Sequence, residues 1–463
     1  MFNMPATEPR SRSDGDAAIE RALSVLTPDE YQQYLSLADL IARRPLQFLY
    51  ELVPFKEALV ARLPIAHAFE IFRALVKLSM DARLEQRQVR SLREEAARHA
   101  AVFRETAPAG VPFTVQPPKV VGNGDHRPLE CVTRSLYYAC LSDAGVHGRS
   151  TFIQFRDAAL LDFQGEEFDR IDDRLILDLP VLSASKEAVC IAATPTGATE
   201  IDEAFTLLGP LTPQFGHWIW EYVPKYIVAC LSADLAGVPV LIDAHMPNTH
   251  REFLQMIVSA DTQIVEVPYS ASLRVQRLWC APRLFYIPLL PRSMDLQGLA
   301  YRTAPPDRFA SAVREMRRRM APILPAQHRF KNVFLARKPE QHRQLVNRVP
   351  IYNLAEERGF VIVYPQDLSF AEQVSLMRDA SYVLGQAGSG IFLTLFAEPG
   401  TKVGILSSQR TYRSASYTCL LEELGIDVTI LTGTVESAGE YAQFDDYSIS
   451  EREFSEFLDA WLA

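Results

Sequence analysis

The regular alternation that begins at Lys331 constrains the fold more than any other feature of this chain. Short apolar runs at Asn332–Ala336, Phe360–Tyr364, Tyr382–Gly385, Lys402–Leu406 and Asp427–Leu431 are separated by helical stretches near Arg348–Arg358, Ser369–Asp379, Ser389–Ala397 and Ser414–Leu424. Brief apolar runs bounded by Gly and Pro suit strands buried on both faces, and strands interleaved with helices build a parallel sheet. An amphipathic helix is predicted at Ser450–Leu462. A looser form of the pattern lies upstream, with strands at Ser135–Leu141, Thr151–Phe155, Val189–Ala193, Val238–Asp243, Gln263–Val267 and Leu284–Pro288, and a helix at Gly216–Leu235. The chain is therefore read as α/β, with two doubly wound, Rossmann-like domains facing a cleft, where ligands gather at strand carboxyl ends.

The N-terminal part reads differently. The first sixteen residues are a polar tail. From Asp29 to Thr106 apolar residues recur at helical spacing (Ile65, Phe69, Phe72, Val76, Leu78), followed by a charged run, Asp81–Arg98. This predicts a helical extension packed on its own core, in preference to a membrane-docking helix, because its polar face mixes Glu with Arg. The Pro-rich joint Ala107–Lys119 closes it, giving boundaries at 1–118, 119–325 and 326–463.

Composition excludes several classes. The net charge of −10 argues against a general nucleic-acid binder. The best membrane-span candidate, Tyr222–Leu241, is interrupted by Pro224, Lys225, Asp234 and Pro239, so no transmembrane segment is read. Six scattered cysteines without a CxxC pair, and an N-terminus lacking an apolar leader core, fit a cytoplasmic protein.

Three segments carry candidate chemistry. In VLGQAGSGIFLTLFAEPG, Val383–Gly400, a strand runs into a loop with Gln386, Gly388, Ser389 and Gly390 before a helix. Small residues and free N–H groups at a helix start favour an anion, and a diphosphate is the natural guest. A nicotinamide site is disfavoured, because the spacing is GxxGxG, the loop follows the third strand, and no acid ends the next one. Upstream, Arg337 and Arg343 follow the first strand, where guanidinium groups suit a phosphate, whereas Arg317–Arg319 read as a solvated helix face. In PQFGHWIWEYVPKY, His217 and Glu221 are four apart and share one helix face, a plausible base and its orienting acid; Asp243 and His245 at the next strand end are second candidates. No HExxH or Gly-x-Ser-x-Gly motif is present, and no cofactor or metal is called for.

FGHWIWEYVPK resembles the F-H-W-x-x-E-x-L-P-(R/K) segment of glycosyltransferase family 61, a group that includes plant xylosyl- and arabinosyltransferases and bacterial capsule proteins. Phe334–Arg337, Arg343–Asn347 and Gly359–Phe360 are similar to its L-x-R … R-x-x-x-N … G-F run, and PQDLSFAEQ with YVLGQAGSGIFLTLFAEPG is similar to its P-E-x-L-S-x-x-E-Q and G-x-H-G-A-G blocks. Gln386 stands where the family usually has His, and Thr394 where it usually has Asn. The resemblance implies a GT-B-like architecture and an inverting, metal-independent transfer from a nucleotide-diphosphate sugar, a UDP-sugar first, to a glycan or other hydroxyl acceptor in surface polysaccharide biosynthesis. The roles that this suggests are His217 as base with Glu221 as orienter or alternative base, Arg337 and Arg343 holding the diphosphate, Asn347 contacting the donor or positioning the arginine pair, Glu372 and Gln373 at nucleoside or sugar hydroxyls, and the 386–390 loop at phosphate. The alternatives are a non-catalytic nucleotide-sugar-binding protein or an assembly scaffold.

Overall fold

The structure, a computed structural model, describes residues 23–43, 55, 58–59, 62–63, 71, 75, 84–122, 128–161, 181–184, 188–192, 199–244, 246–268, 271–284, 302–324, 330–338, 343–410, 418–438 and 445–463. The polar tail, Ile65, Phe69, Phe72, Val76 and Leu78 of the helical pattern, His245, strand residues 285–288 and helix residues 414–417 lie outside them. The architecture is mixed α/β, compatible with an α/β glycosyltransferase fold.

Asn332–Leu335, Val361–Val363, Tyr382–Gln386, Lys402–Ser408 and Asp427–Ser437 form a parallel sheet in the spatial order 2-1-3-4-5. Its strand interiors, among them Val333, Phe334, Val383, Leu384, Val403 and Ile405, are fully buried, as double coverage by helices requires. The helix Phe370–Asp379 starts at a capping box. Ser369 Oγ accepts from Glu372 N at 3.3 Å, and the Glu372 carboxylate accepts from Ser369 N at 2.8 Å. The terminal helix Glu451–Leu462 buries Phe454, Phe457, Leu458 and Trp461 against the other face. Lys119–Val121, which the sequence places at the start of the middle domain, pairs instead with Asp427–Ser437 of this sheet.

The larger sheet contains, among the described residues, eleven strands. Four are parallel, in the order Ile264–Val267, Val240–Asp243, Thr199–Thr206, Ser272–Cys280, which is 3-2-1-4 by chain position. The remainder departs from the largely parallel sheet that the sequence predicts. Leu136–His147 runs antiparallel to Ser272–Cys280 and to Val102–Ala107, and a tight turn with Arg156 at φ +56° folds Ile153–Phe155 back onto Ala158–Leu161. Mainly antiparallel pairing extends the sheet, with one parallel pair, Leu84–Ser91 on Ala158–Leu161, among the described strands.

Part of the predicted helical extension is also strand. Pro28–Arg43 is helical, but Leu84–Ser91 pairs with Ala158–Leu161 and Ala188–Ala192, and among the described residues of the charged run the helix is confined to Leu92–His99. Local Glu, Gln and Arg favour helix; partners about seventy to a hundred residues away override that preference.

One aromatic junction joins the two sheets. Trp220 packs between Phe309 at 5.1 Å and Phe392 at 4.9 Å, and Phe253 meets Phe370 at 4.6 Å. A single hydrophobic core runs through this junction into both sheets. Arg317 grips the Leu395 carbonyl through Nε at 2.9 Å and Nη2 at 2.6 Å, and Arg319 donates to Ile257 O at 2.7 Å. Arg317 therefore bolts the junction and Arg319 ties its helix to the neighbouring one, correcting the solvated face expected of Arg317–Arg319 at these two positions, whereas Arg318 is exposed as expected; burial lowers the Arg317 pKa to about 10. Replacing Trp220 by Ala is expected to remove about 3–5 kcal/mol of stability, the usual cost of truncating a buried Trp. Urea denaturation should show both sheets unfolding in one shifted transition.

Candidate active site

The two parallel arrangements each have a switch point, where strand order reverses and a crevice opens at the carboxyl ends. In the larger sheet it lies between Thr199–Thr206 and Ser272–Cys280; in the smaller it lies between Asn332–Leu335 and Tyr382–Gln386. The candidate residues leave these four strand ends.

The chain after Thr206 enters the helix that the sequence predicts, but it spans Phe215–Cys230, stops short of Leu235, and widens into a π-turn at Trp218–Tyr222. Pro224 has no N–H to return to the preceding turn, and Val223 N instead reaches five residues back to Trp218 O. Such widened turns recur at functional sites. Within it His217 Nδ1 meets Glu221 Oε1 at 2.6 Å, and Arg283, just beyond the Ser272–Cys280 strand, donates through Nη1 to Glu221 Oε2 at 3.2 Å. Glu221 is 0% and Arg283 3% exposed, so each charge depends on the other for compensation. Arg134 Nη1 holds the Arg283 carbonyl at 2.7 Å. A carboxylate beside a guanidinium only accepts, so the His217 proton sits on Nδ1 and Nε2 keeps the basic lone pair.

At the other switch point the glycines divide the work. Gly385 is a packing glycine, since a Cβ there would stand 2.8 Å from Ile391 Cδ1. A Cβ on Gly388 would stand 3.3 Å from Arg337 Nη1 and 4.0 Å from Arg343 Nη1, so both guanidinium groups converge on this loop. Gly390 faces open space, and Ser389 is exposed. Ser389–Phe396 is a 3-10 run, not the α-helix expected, and Thr394 turns inward to bond Ile391 O at 2.7 Å. Arg343 holds φ +60°, an uncommon state for a side-chain-bearing residue. It is kept there by a strap: Gln344 N donates to Asp446 Oδ1 at 2.7 Å, Val346 N to Tyr447 O at 2.9 Å, and the Asn347 amide clasps both backbone groups of Ile449.

The two groups adjoin. A Cβ on Gly216 would lie 2.8 Å from the Phe392 ring and 3.3 Å from Ser389 Cβ, so His217 sits one residue from direct contact with the glycine loop.

Other predicted site residues take framework roles. Asp243 is fully buried and accepts from Gly209 N at 3.0 Å, Thr212 Oγ1 at 2.5 Å and Arg149 N, which ties down the loop before His217. Gln373 Nε2 donates to Pro365 O and Leu368 O, and the Glu372 carboxylate serves the capping box, so both hold the protein's own backbone. Asn347 is occupied with Ile449. Gln386 is buried and donates to Tyr352 OH at 2.8 Å. Arg283 has no counterpart in the motifs; its place beside Glu221 depends on a fold-level pairing of strands.

Residues 215–404 match the family model described as Glycosyltransferase 61. The matched segment, less than half of the chain, contains His217, Glu221, Arg283, Arg337, Arg343 and the 386–390 loop, and supports a glycosyltransferase. No curated protein matches the chain.

Burial pushes the Asp243 carboxyl up to about 6, outweighing its three donors. A carboxyl raised above its ordinary 3.8 adds stability below about pH 4, where it is neutral folded or unfolded, and loses that addition as pH rises through about 6. The stability advantage of wild type over Asp243→Asn should thus shrink by roughly 3 kcal/mol between about pH 4 and 7. Urea midpoints of the two proteins across that range measure it.

Proposed function

We propose that this chain is an inverting, metal-independent glycosyltransferase that moves a sugar from a nucleotide-diphosphate sugar, UDP-sugars first, to a hydroxyl acceptor, with GT-B-like use of its two switch points. The convergence of Arg337 and Arg343 on Gly388, one residue contact away from the His217–Glu221–Arg283 group, carries this reading. The acceptor hydroxyl attacks the anomeric carbon, its proton passes to His217 Nε2, and the bond from that carbon to the diphosphate oxygen breaks. Glu221 orients the imidazole and stabilises the imidazolium formed. The charge left on the diphosphate is met by the two guanidinium groups and the backbone N–H groups of the glycine loop. A role in surface polysaccharide assembly follows from the family resemblance, while the scattered cysteines favour the cytoplasm, including the inner face of its membrane.

His217→Ala should lower kcat by about two to four orders of magnitude, the usual worth of a general base, with donor affinity retained. Turnover of a UDP-sugar panel measures it, and near-normal turnover removes His217 from the chemistry. Arg343→Ala should weaken UDP binding in calorimetry by at least about tenfold, the scale of a charge-assisted contact. Wild-type binding with no transfer to any hydroxyl acceptor would make the chain a binding protein instead.

A further inference from the structure

Tyr352 lies on the helix Arg348–Glu357, 9% exposed, its ring set edge-on to Phe334 at 5.0 Å. Its phenol oxygen accepts from Gln386 Nε2 at 2.8 Å and from the backbone N–H of Arg337. Those two donors come from the ends of the first and third strands of the smaller sheet, the two sides of its switch point. A phenol has one proton to give and two lone pairs to receive. Here both lone pairs are taken, and its own proton has no acceptor among the described residues. The neighbouring phenol, Tyr447, differs: its proton goes to Leu406 O at 2.9 Å.

We propose that Tyr352 is a further diphosphate-contacting residue, its O–H donating to a phosphate oxygen held by Arg337 and Arg343. This inference rests on the nucleotide-diphosphate reading of the site. It also gives Gln386 a function. An amide N–H fixes the phenol as acceptor toward the protein and turns its proton outward, whereas a neutral imidazole presenting its lone pair would take that proton. Burial raises the Tyr352 pKa, which keeps the group protonated and able to donate.

Calorimetry of the full chain with UDP, inorganic pyrophosphate and uridine tests this. Tyr352→Phe should weaken UDP and pyrophosphate about tenfold or more, the scale of a hydrogen bond to a charged group, and leave uridine unchanged. A merely structural role would move all three ligands together, or none, and either result overturns the inference. If wild type itself binds neither UDP nor pyrophosphate, the diphosphate reading fails, which is a distinct outcome. Where Tyr352→Phe folds poorly, 3-fluorotyrosine at position 352 supplies the second measurement. Pyrophosphate should shift its fluorine resonance and uridine should not; an unmoved resonance overturns the proposal.

Discussion

A methyl group at position 216 would stand 2.8 Å from the Phe392 ring, closer than carbon atoms tolerate. Because Gly216 lacks it, the backbone that launches His217 lies directly on the 3-10 run that begins at Ser389. The rest of the site depends on this approach. Each sheet places polar groups at its own strand ends, but those groups act on one ligand only if the two ends meet. The aromatic junction around Trp220 and Phe253 and the Arg317 clamp hold that meeting in place.

Buried charge is handled consistently around this point. Glu221 is compensated by Arg283 and by the imidazole, whereas Asp243 accepts from a hydroxyl and two backbone N–H groups and, despite the Arg149 charge, burial pushes its carboxyl toward the protonated form. Removing a carboxylate from water is costly unless a partner offsets it. The ion-paired acid is held charged against the His217 ring, and the other acid ties loops together.

Most of the smaller sheet was legible because its strands are short, apolar and punctuated by Gly and Pro, and most are followed by a helix. The Arg337–Gly388 approach was legible for the same reason, since both residues leave adjacent strand ends, whereas the place of Arg343 also depends on the strap to Asp446, Tyr447 and Ile449. Thr199–Thr206 and Ser272–Cys280 were not: TEIDEAFT and SLRVQRLWC carry charges in the half that lies away from the covered core, which hides them from an apolar-run search. Arg283 was lost with them, because its neighbour Glu221 is a property of strand order. The Ser369-x-x-Glu372 spacing is a helix-start pattern and could have removed Glu372 from the ligand set. Nothing local marks Tyr352.

The continuous core has a consequence for access. Two lobes that closed on a substrate by swinging would have to part Trp220 from Phe392 and strip Arg317 from Leu395 on every cycle. That much apolar surface does not separate cheaply in water. Entry and exit of large molecules must then be governed by small local rearrangements at the rim, with the halves behaving as one rigid block. Turnover in such a block would be insensitive to the distance-changing motions that pace hinged enzymes.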